Sequence, residues 1–366
     1  MQIGILKESN DNRVSVIPDT VQKLIEDKFE VAVETGAGKA AFYSDESYKS
    51  VGAKIESRDE ILKKSNLLFS ISPISDKEIN SLKKSTNYIS SFQPFADSKI
   101  TGTLANAGLT ALSLDMIPRI TIAQSMDILS SMSSISGYKA VLMAGTHLPR
   151  YFPMLTTAAG SIPPSKVLIL GAGVAGLQAV ATARRLGAMV EAFDTRLAAK
   201  EEVQSLGAKF VEVEGATDEK GAGGYAVEQS EEYKKKQKQL IADHIAKSDV
   251  VITTALLRGK PAPTLITKEM TESMKPGSVI VDLAASAGGN CAYTKPGEII
   301  KKGDVTIIGL NDLSATVPMH ASQLYSKNIL NFIKLFLKEG EMELDFENEI
   351  IKSSCIVYNG EVKYNK

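Results

Sequence analysis

The stretch Lys166–Gly176, Lys-Val-Leu-Ile-Leu-Gly-Ala-Gly-Val-Ala-Gly, constrains the fold of this chain more than any other. Its apolar run, Val167–Leu170, reads as a buried strand, and a helical segment starts at once with Val174. Between them Gly171, Gly173 and Gly176 stand in G-x-G-x-x-G spacing. Each glycine has its own physical role. Gly171 permits the tight turn, Gly173 lets backbone approach a pyrophosphate, and Gly176 lets helix pack close to strand. Phosphates would then meet the positive end of the helix and its unpaired N–H groups, starting at Val174. A second strand, Met189–Phe193, ends in Asp194. An acid about 20 residues beyond the glycines accepts from both ribose hydroxyls of an adenosine and repels a 2′-phosphate, which points to NAD rather than NADP. Thr195 and Arg196 follow, and Arg196 weakens the exclusion of NADP. The alternative is a glycine-rich turn beside an unrelated surface acid, but strand, turn, helix, strand and acid fall in the order a dinucleotide site needs.

The rest of the chain fits an α/β fold of two doubly wound, Rossmann-like domains with parallel sheets. Strand candidates in the N-terminal region are Gln2–Leu6, Val31–Glu34, Asn66–Ile71, Tyr88–Phe92 and Leu109–Leu114, alternating with helices such as Thr20–Lys28 and Asp59–Lys64. From Lys166 the pattern restarts with strands at Val167–Leu170, Met189–Phe193, Phe210–Val213, Val250–Thr254, Ser278–Leu283 and Thr306–Ile308. Helices connect them at Gly176–Leu186, Ala198–Leu206, Gln229–Lys247 and Lys268–Met274, with Thr267 as an N-cap and Lys275-Pro276-Gly277 as a stop. Long helices at Met126–Met143 and Ala321–Lys338 flank this second unit, so it is expected to be inserted into the first. The expected boundaries are 1–126 plus 316–366 for domain 1 and 127–315 for domain 2, with a cofactor meeting its reaction partner in a cleft between them. Between Val213 and Gln229 a long connection holds Gly215, Gly221, Gly223, Gly224 and Tyr225. It reads either as a lid with glycine hinges and Tyr225 as its cover, or as an unstructured insertion. The run Lys234-Lys235-Lys236 with Lys238 reads as a solvated helix face.

The 366 residues suit two ordinary domains, and a net charge of −1 offers no field for nucleic acid. Cys291 and Cys355 are too few for a disulfide framework and lack metal spacing, which suits a reducing cytoplasm. The N-terminus starts on a strand-like segment, so no signal peptide is expected. The weakly polar stretch Val167–Ala183 contains Gln178, Thr182 and glycines already explained, and is not expected to span a bilayer.

A dehydrogenase of hydroxy or amino acids moves a proton as well as a hydride and needs a general acid/base beside the substrate carbon. The three histidines supply no clear candidate: His244 reads as a surface residue of a polar helix, and His147 and His320 lack an obvious carboxylate partner. Hydride transfer between two nicotinamides moves no proton at the reacting carbons and needs only positioning and exclusion of water. A strong NAD site without an acid/base residue fits that reaction better.

The chain resembles the NAD(H)-binding component of proton-translocating NAD(P) transhydrogenase, of the alanine dehydrogenase and transhydrogenase family. The likeness runs from Gly4-Ile5-Leu6-Lys7-Glu8 and Asn12-Arg13-Val14 almost to the C-terminus. Its most specific segment is Pro118–Ser131, similar to the family's Arg-Gln-Asp loop; further matches are Thr156–Gly160, Gly223-Gly224-Tyr225, Thr253-Thr254-Ala255-Leu256, Gly259–Pro263, Met274–Ser278 and Asp282 through Asn290-Cys291. The resemblance implies that Arg119, Gln124, Asp127 and Ser130 hold the nicotinamide end, with Arg119, Gln124 and Asp127 as the catalytic set. It places Gly224 and Tyr225 in a mobile loop and Ala255 and Leu256 in the cofactor site. Read without it, Arg119–Ser130 is a polar loop leading into a helix, with Asp127 as a cap. The resemblance further implies the Re/Si-specific, proton-translocating type, active only with partner subunits: NAD(H) on this chain, NADP(H) on a partner subunit, membrane-spanning subunits on separate polypeptides, and a homodimer bound peripherally at the cytoplasmic face of the membrane.

Alanine dehydrogenases are the nearest competitor. Their catalytic lysine segment corresponds to Ser70-Ile71-Ser72-Pro73 here, their catalytic histidine falls near Phe92-Gln93-Pro94, and their acid before paired glycines corresponds to Ser286. All three groups are replaced, while Arg13 remains and reads equally as a salt-bridge partner. An amino-acid dehydrogenase and a non-catalytic NAD-binding module are the two alternatives.

Overall fold

The computed structural model describes residues 1–213, 231–256 and 259–363. The chain forms two compact units, Met1–Met132 with Ala315–Lys366, and Ser133–Ser314. The first unit contributes strands β1 (Gln2–Ile5), β2 (Glu30–Glu34), β3 (Lys54–Glu56), β4 (Leu67–Phe69), β5 (Asn87–Ser90) and β6 (Thr110–Ser113). The second adds a hairpin, β7 (Leu155–Thr157) and β8 (Gly160–Ile162), then β9 (Lys166–Leu170), β10 (Met189–Phe193), β11 (Lys209–Phe210), β12 (Val250–Thr253), β13 (Val279–Asp282), β14 (Ile299–Lys302) and β15 (Val305–Ile308). The returning segment carries β16 (Leu337–Lys338), β17 (Glu341–Met342), β18 (Cys355–Tyr358) and β19 (Glu361–Val362).

The first unit is built on an eight-stranded sheet in the order β19-β18-β6-β5-β4-β1-β2-β3. Strands β1 to β6 are parallel, and β18 and β19 close one edge antiparallel. One face packs Ile3, Ile5, Val31, Val33 and Phe69 against Tyr325, Ile329, Phe332 and Ile333 of the returning helix Pro318–Ile333. Burying each such aliphatic or aromatic side chain stabilises the fold by roughly 1.5–3 kcal/mol. Short helices are fixed at their starts by their own sequence: Ser57 with Glu60 and Ser75 with Glu78 form capping boxes before Arg58–Lys64 and Asp76–Ile79.

The second unit holds a seven-stranded sheet, order β11-β10-β9-β12-β13-β15-β14, parallel except for β14. The long helix Ile128–His147, expected at Met126–Met143, carries the boundary between the units, and Pro318–Ile333 stops short of the expected Lys338. Thr267 caps Lys268–Glu272 through Met270 N–H, and Gly277 turns the chain at φ +80°.

Several expected elements differ. The strand expected at Phe210–Val213 is only Lys209–Phe210, which among the described residues is an edge strand paired with β10 alone. Val211 N–H still donates to Ala192 O of β10 at 2.8 Å, and Val211 and Val213 pack with Ile241 and Ile245. Edge strands β3 (Lys-Ile-Glu) and β14 (Ile-Ile-Lys-Lys) carry charged side chains and no apolar alternation along their length, so hydrophobic patterning does not reveal them. Among the described residues, no helix is long and apolar enough to cross a membrane.

Both sheets are doubly wound, and each reverses its winding once, between β1 and β4 and between β9 and β12. Ligands of open α/β sheets bind outside the carboxyl ends of the strands at such points. In the first unit the chain fills this place itself. Glu8 follows β1, is buried, and accepts from Ile71 N–H at 2.6 Å and Ser72 N–H at 3.1 Å beyond β4. Burial pushes its carboxyl up to about 7, against the pull of those two N–H groups and of Arg13, and with a smaller push from Asp11.

Two outcomes follow from this packing. Gly4 lies in β1 where a Cβ would sit 2.4 Å from Ser65 Oγ and 2.5 Å from Ile61 Cγ2. Gly4→Ala therefore loses about 1–3 kcal/mol in urea unfolding through overpacking. Glu8 holds its proton in the folded state up to about pH 7 but releases it near 4.5 when unfolded. Its contribution is thus full below pH 4.5 and declines as pH rises to 7, by at most about 3 kcal/mol. Urea unfolding of wild type and Glu8→Gln across that window should show the decline in wild type and its loss in the variant.

Candidate functional site

The residues at the carboxyl ends of β9, β10 and β12 form the site in the second unit. β9 ends at Leu170, and Gly171 turns the chain at φ +105°. Its N–H donates to Phe193 O at 2.8 Å, while Thr254 Oγ1 donates to its carbonyl at 3.0 Å. A Cβ there would lie 2.3 Å from Thr254 Oγ1, so both conformation and space require glycine. At Gly176 a Cβ would stand 1.8 Å from Gly171 O, which forces the helix Val174–Arg185 against the turn. Gly173 differs. Its φ is −78°, and among the described residues no atom outside its immediate chain neighbours lies within 4 Å of where its Cβ would be. A side chain at this N-cap would fill the open approach to the helix start.

Among the described residues no side chain caps that start, and no acid occupies its first turn. The N–H groups there are left for an incoming acceptor, and the helix dipole favours an anion. The residues present therefore fit a pyrophosphate. Val174 is half-exposed at the rim.

Asp194 follows β10 and is tied to the same turn. Its Oδ2 accepts from Ala172 N–H at 2.7 Å, and Arg196 clasps it with its backbone N–H at 2.8 Å, Nε at 3.0 Å and a terminal nitrogen at 3.1 Å. The sequence pattern alone leaves this carboxylate open to two ribose hydroxyls. With four donors already on it, a ribose must displace some of the Arg196 clasp. Thr195 is exposed. Across the crevice Thr254 N–H donates to Leu170 O at 2.9 Å and brings Ala255 and Leu256 beside the glycine turn. Leu256 is 58% exposed. Sequence reasoning gave no role to Asp282 and Asn290, whose buried side chains brace this segment. A strand-end acid followed by Gly288-Gly289-Asn290 was the available signal. Gly224 and Tyr225 lie outside the described residues, as do Gly215, Gly221 and Gly223.

Arg119, Gln124, Asp127 and Ser130 belong to one segment of the first unit. A 3₁₀ turn, Thr121–Met126, runs into Asp127, which caps the helix Ile128–His147. Its Oδ1 accepts from Ser130 N–H at 2.9 Å and its Oδ2 from Ser130 Oγ at 2.6 Å. Asn328 and Asn331 of the returning helix anchor the segment by donating to Ser125 O at 2.8 and 3.1 Å, and Ala123 and Met126 are buried. Arg119 and Gln124 are exposed. Among the described residues, neither of their side chains makes a hydrogen bond or ion pair.

The positions that distinguish an amino-acid dehydrogenase carry structural groups here. Ser70 is buried, bonded to Tyr88 at 2.6 Å and to Ser72 O at 2.6 Å. Gln93 donates its N–H to Asp115 at 3.2 Å, and Ser286 is exposed in a 3₁₀ turn. Arg13 is paired with Asp11, its Nε 2.9 and 3.0 Å from the two carboxylate oxygens. His147 bonds to Met143 O at 2.9 Å within its own helix, and His320 is exposed. His244 is not the free surface residue expected: its Nδ1 lies 2.6 Å from Glu191 Oε2, and Lys209 flanks the same carboxylate at 3.2 Å. Burial raises the Glu191 carboxyl, but these two partners outweigh it and hold the group below its ordinary value. This pair lines a cavity of about 490 Å³ with Lys166, Arg184 and Lys247, at the opposite, amino ends of the strands.

Known proteins place the chain by sequence and by structure. Residues 4–136 match the N-terminal domain of alanine dehydrogenase/PNT, and residues 140–365 its C-terminal domain. The chain is 42% identical over 366 residues to the NAD(P) transhydrogenase subunit alpha of Haemophilus influenzae, covering 99% of this chain and 71% of that protein. It is 41% identical over 374 residues to an NAD(P) transhydrogenase subunit alpha chain of Rhodospirillum rubrum, covering 99% and 97%. The solved transhydrogenase of Sinorhizobium meliloti superposes with a TM-score of 0.91 at 41% identity, covering 99% of this chain and all of that one. The chain therefore belongs to the alanine dehydrogenase/PNT family, among the alpha subunits of NAD(P) transhydrogenase.

Proposed function

We propose that this chain is the NAD(H)-binding subunit of a proton-translocating NAD(P) transhydrogenase and passes a hydride directly between its own NADH and NADP⁺ held by a partner subunit. The observation that carries this reading is the helix start at Gly173: among the described residues it is uncapped and open where a Cβ would otherwise stand, and its first turn holds no acid. The bound nicotinamide supplies the hydride. The chain's own residues bind and orient. N–H groups from Val174 onward take the pyrophosphate, and Asp194 takes the adenosine ribose with Thr195 and Arg196 beside it. Arg119 and Gln124, whose side chains are uncommitted, take the carboxamide end. Asp127 and Ser130 act as a bonded pair, so capping the helix and lining the site are compatible roles for them. Ala255 and Leu256 face the turn, and Gly224 and Tyr225 are assigned to a covering loop.

No proton moves at the carbons that exchange hydride, so catalysis rests on holding two rings in register and keeping water out. Serine and glutamine at Ser70, Gln93 and Ser286 agree with that demand, since none is a general acid/base at neutral pH. Membrane-spanning subunits on other chains would couple the transfer to proton movement, with this chain peripheral at the cytoplasmic face. Exposed Tyr151, Met154 and Ile162 around the β7–β8 hairpin support a homodimer.

The test is to mix the purified chain with its NADP⁺-loaded partner subunits and NADH, and to follow formation of NADPH. Formation only with both components is expected. Reduction of NAD⁺ by alanine with this chain alone would instead establish a dehydrogenase, and NADH binding without transfer in the reconstituted assembly a regulatory module. Asp194→Ala should weaken NADH binding by ~1–3 kcal/mol, the cost of lost charge-assisted hydrogen bonds, as read by calorimetric titration.

A further inference from the structure

The crevice in the second unit has two walls, the glycine turn and the segment Thr254–Leu256, and among the described residues the second wall has no strand partner beyond Thr254. β12 ends at Thr253, and Thr254 still pairs with Leu170 O. Beyond it the backbone of Ala255 is held by one side chain. Asn290 Oδ1 accepts from Ala255 N–H at 3.0 Å, and Asn290 Nδ2 donates to Ala255 O at 2.8 Å and to Pro263 O at 2.8 Å. The amide thus imitates a strand neighbour for a single residue and ties it to the next loop.

Asn290 is itself fixed. It is fully buried, and its N–H donates to Asp282 Oδ2 at 2.7 Å. Asp282, at the end of β13 and 1% exposed, also accepts from Cys291 N–H at 3.0 Å, Thr294 Oγ1 at 2.6 Å, Ala284 N–H at 3.0 Å and Thr253 Oγ1 at 3.0 Å. A Cβ on Gly289 would meet Asp282 Oδ2 at 2.8 Å, so the loop closes on the carboxylate only with glycine there. A buried carboxylate with five donors is a rigid anchor.

The same bonds decide what Ala255 can offer a ligand. Its N–H is taken by Asn290 and so is not free to read a dinucleotide, while its carbonyl already carries one bond from Asn290 and keeps one lone pair. Next to it Leu256 is a large apolar side chain, 58% exposed, as Val174 is at 46%, while the aliphatic side chains of β9 and β12 are buried.

We propose that Asn290, anchored by Asp282, is a positioning residue that presents Leu256 as an apolar wall of the dinucleotide crevice. The inference rests on the reading that this unit binds NAD(H), and it adds two residues that touch no cofactor. Leu256 contributes contact area and Asn290 the geometry that makes this area available.

A double-mutant cycle on the NADH dissociation constant tests it, with Leu256→Ala, Asn290→Ala and both together, and thermal unfolding followed in parallel. Each single change should raise the dissociation constant about tenfold, and the pair should be no worse than either alone, because Asn290 acts through Leu256. Multiplying effects would overturn the proposal and assign Asn290 a general structural role. An unchanged constant in Leu256→Ala, a change on an exposed side chain that leaves folding intact, would overturn it even if Asn290→Ala fails to fold. Failure of wild type to bind NADH would instead remove the underlying NAD reading, an outcome separate from any pattern in the cycle.

Discussion

A helix can begin one turn after a buried strand only if the backbone between them folds back to within contact of itself. Here that contact is Gly176 against the carbonyl of Gly171, with room for a hydrogen atom and nothing larger. The approach sets the direction of the helix Val174–Arg185, and with it the place toward which its unpaired N–H groups point. It also positions Gly171 under Thr254, which joins β9 to β12 past the end of their ladder. The glycine turn is therefore a packing requirement first. The anion-binding capacity follows from it, because a helix so close to the sheet has its first turn at the crevice mouth, uncapped.

The two units share a winding pattern and use it differently. Each sheet has a reversal point, between β1 and β4 in one and between β9 and β12 in the other. After β9 the chain offers glycines and leaves space. After β1 it offers Leu6, whose N–H pairs with Phe69 O, and then Glu8, whose carboxyl group takes the N–H groups beyond β4. The first crevice is thus satisfied by the chain itself, at the expense of burying a carboxyl that prefers to stay neutral. Topology supplies equal opportunities, and local sequence decides which crevice is open to a ligand.

Much of this was legible in the sequence. The run Val167–Leu170 is buried on both faces and therefore uniformly apolar, and the three glycines have distinct spatial duties that fix their spacing. Asp194 was legible as a strand-end acid, but its clasp by Arg196 was not, because a short-range pair of that kind depends on the turn that follows the strand. Short edge strands such as Lys54–Glu56 and Ile299–Lys302 escaped for a similar reason: with one flank in water they need no apolar alternation. The least visible feature was the brace formed by Asp282 and Asn290. Hydrogen bonding across 29 and 35 positions of sequence leaves no periodic trace. Only the chemistry of the residues, an acid, two glycines and an amide, hints that something is being held.

The Asp194–Arg196 pair bears on the choice between the two nicotinamide dinucleotides. An arginine beside the ribose pocket, taken alone, invites a 2′-phosphate. In this structure the guanidinium is already committed to Asp194, which is 8% exposed and also holds the N–H of Ala172. For Arg196 to bind a phosphate it would have to leave a nearly buried carboxylate short of its counter-charge, with a dianionic group arriving beside it. The loss falls on the Asp194 carboxylate, since the Arg196 side chain is 37% exposed and stays in contact with water. A ribose hydroxyl demands less: it displaces the terminal nitrogen of Arg196 from Oδ2 while the Arg196 backbone N–H and Nε keep Oδ1. The pair thus supports the proposed choice of NAD over NADP, through the geometry of the clasp rather than the sign of either charge.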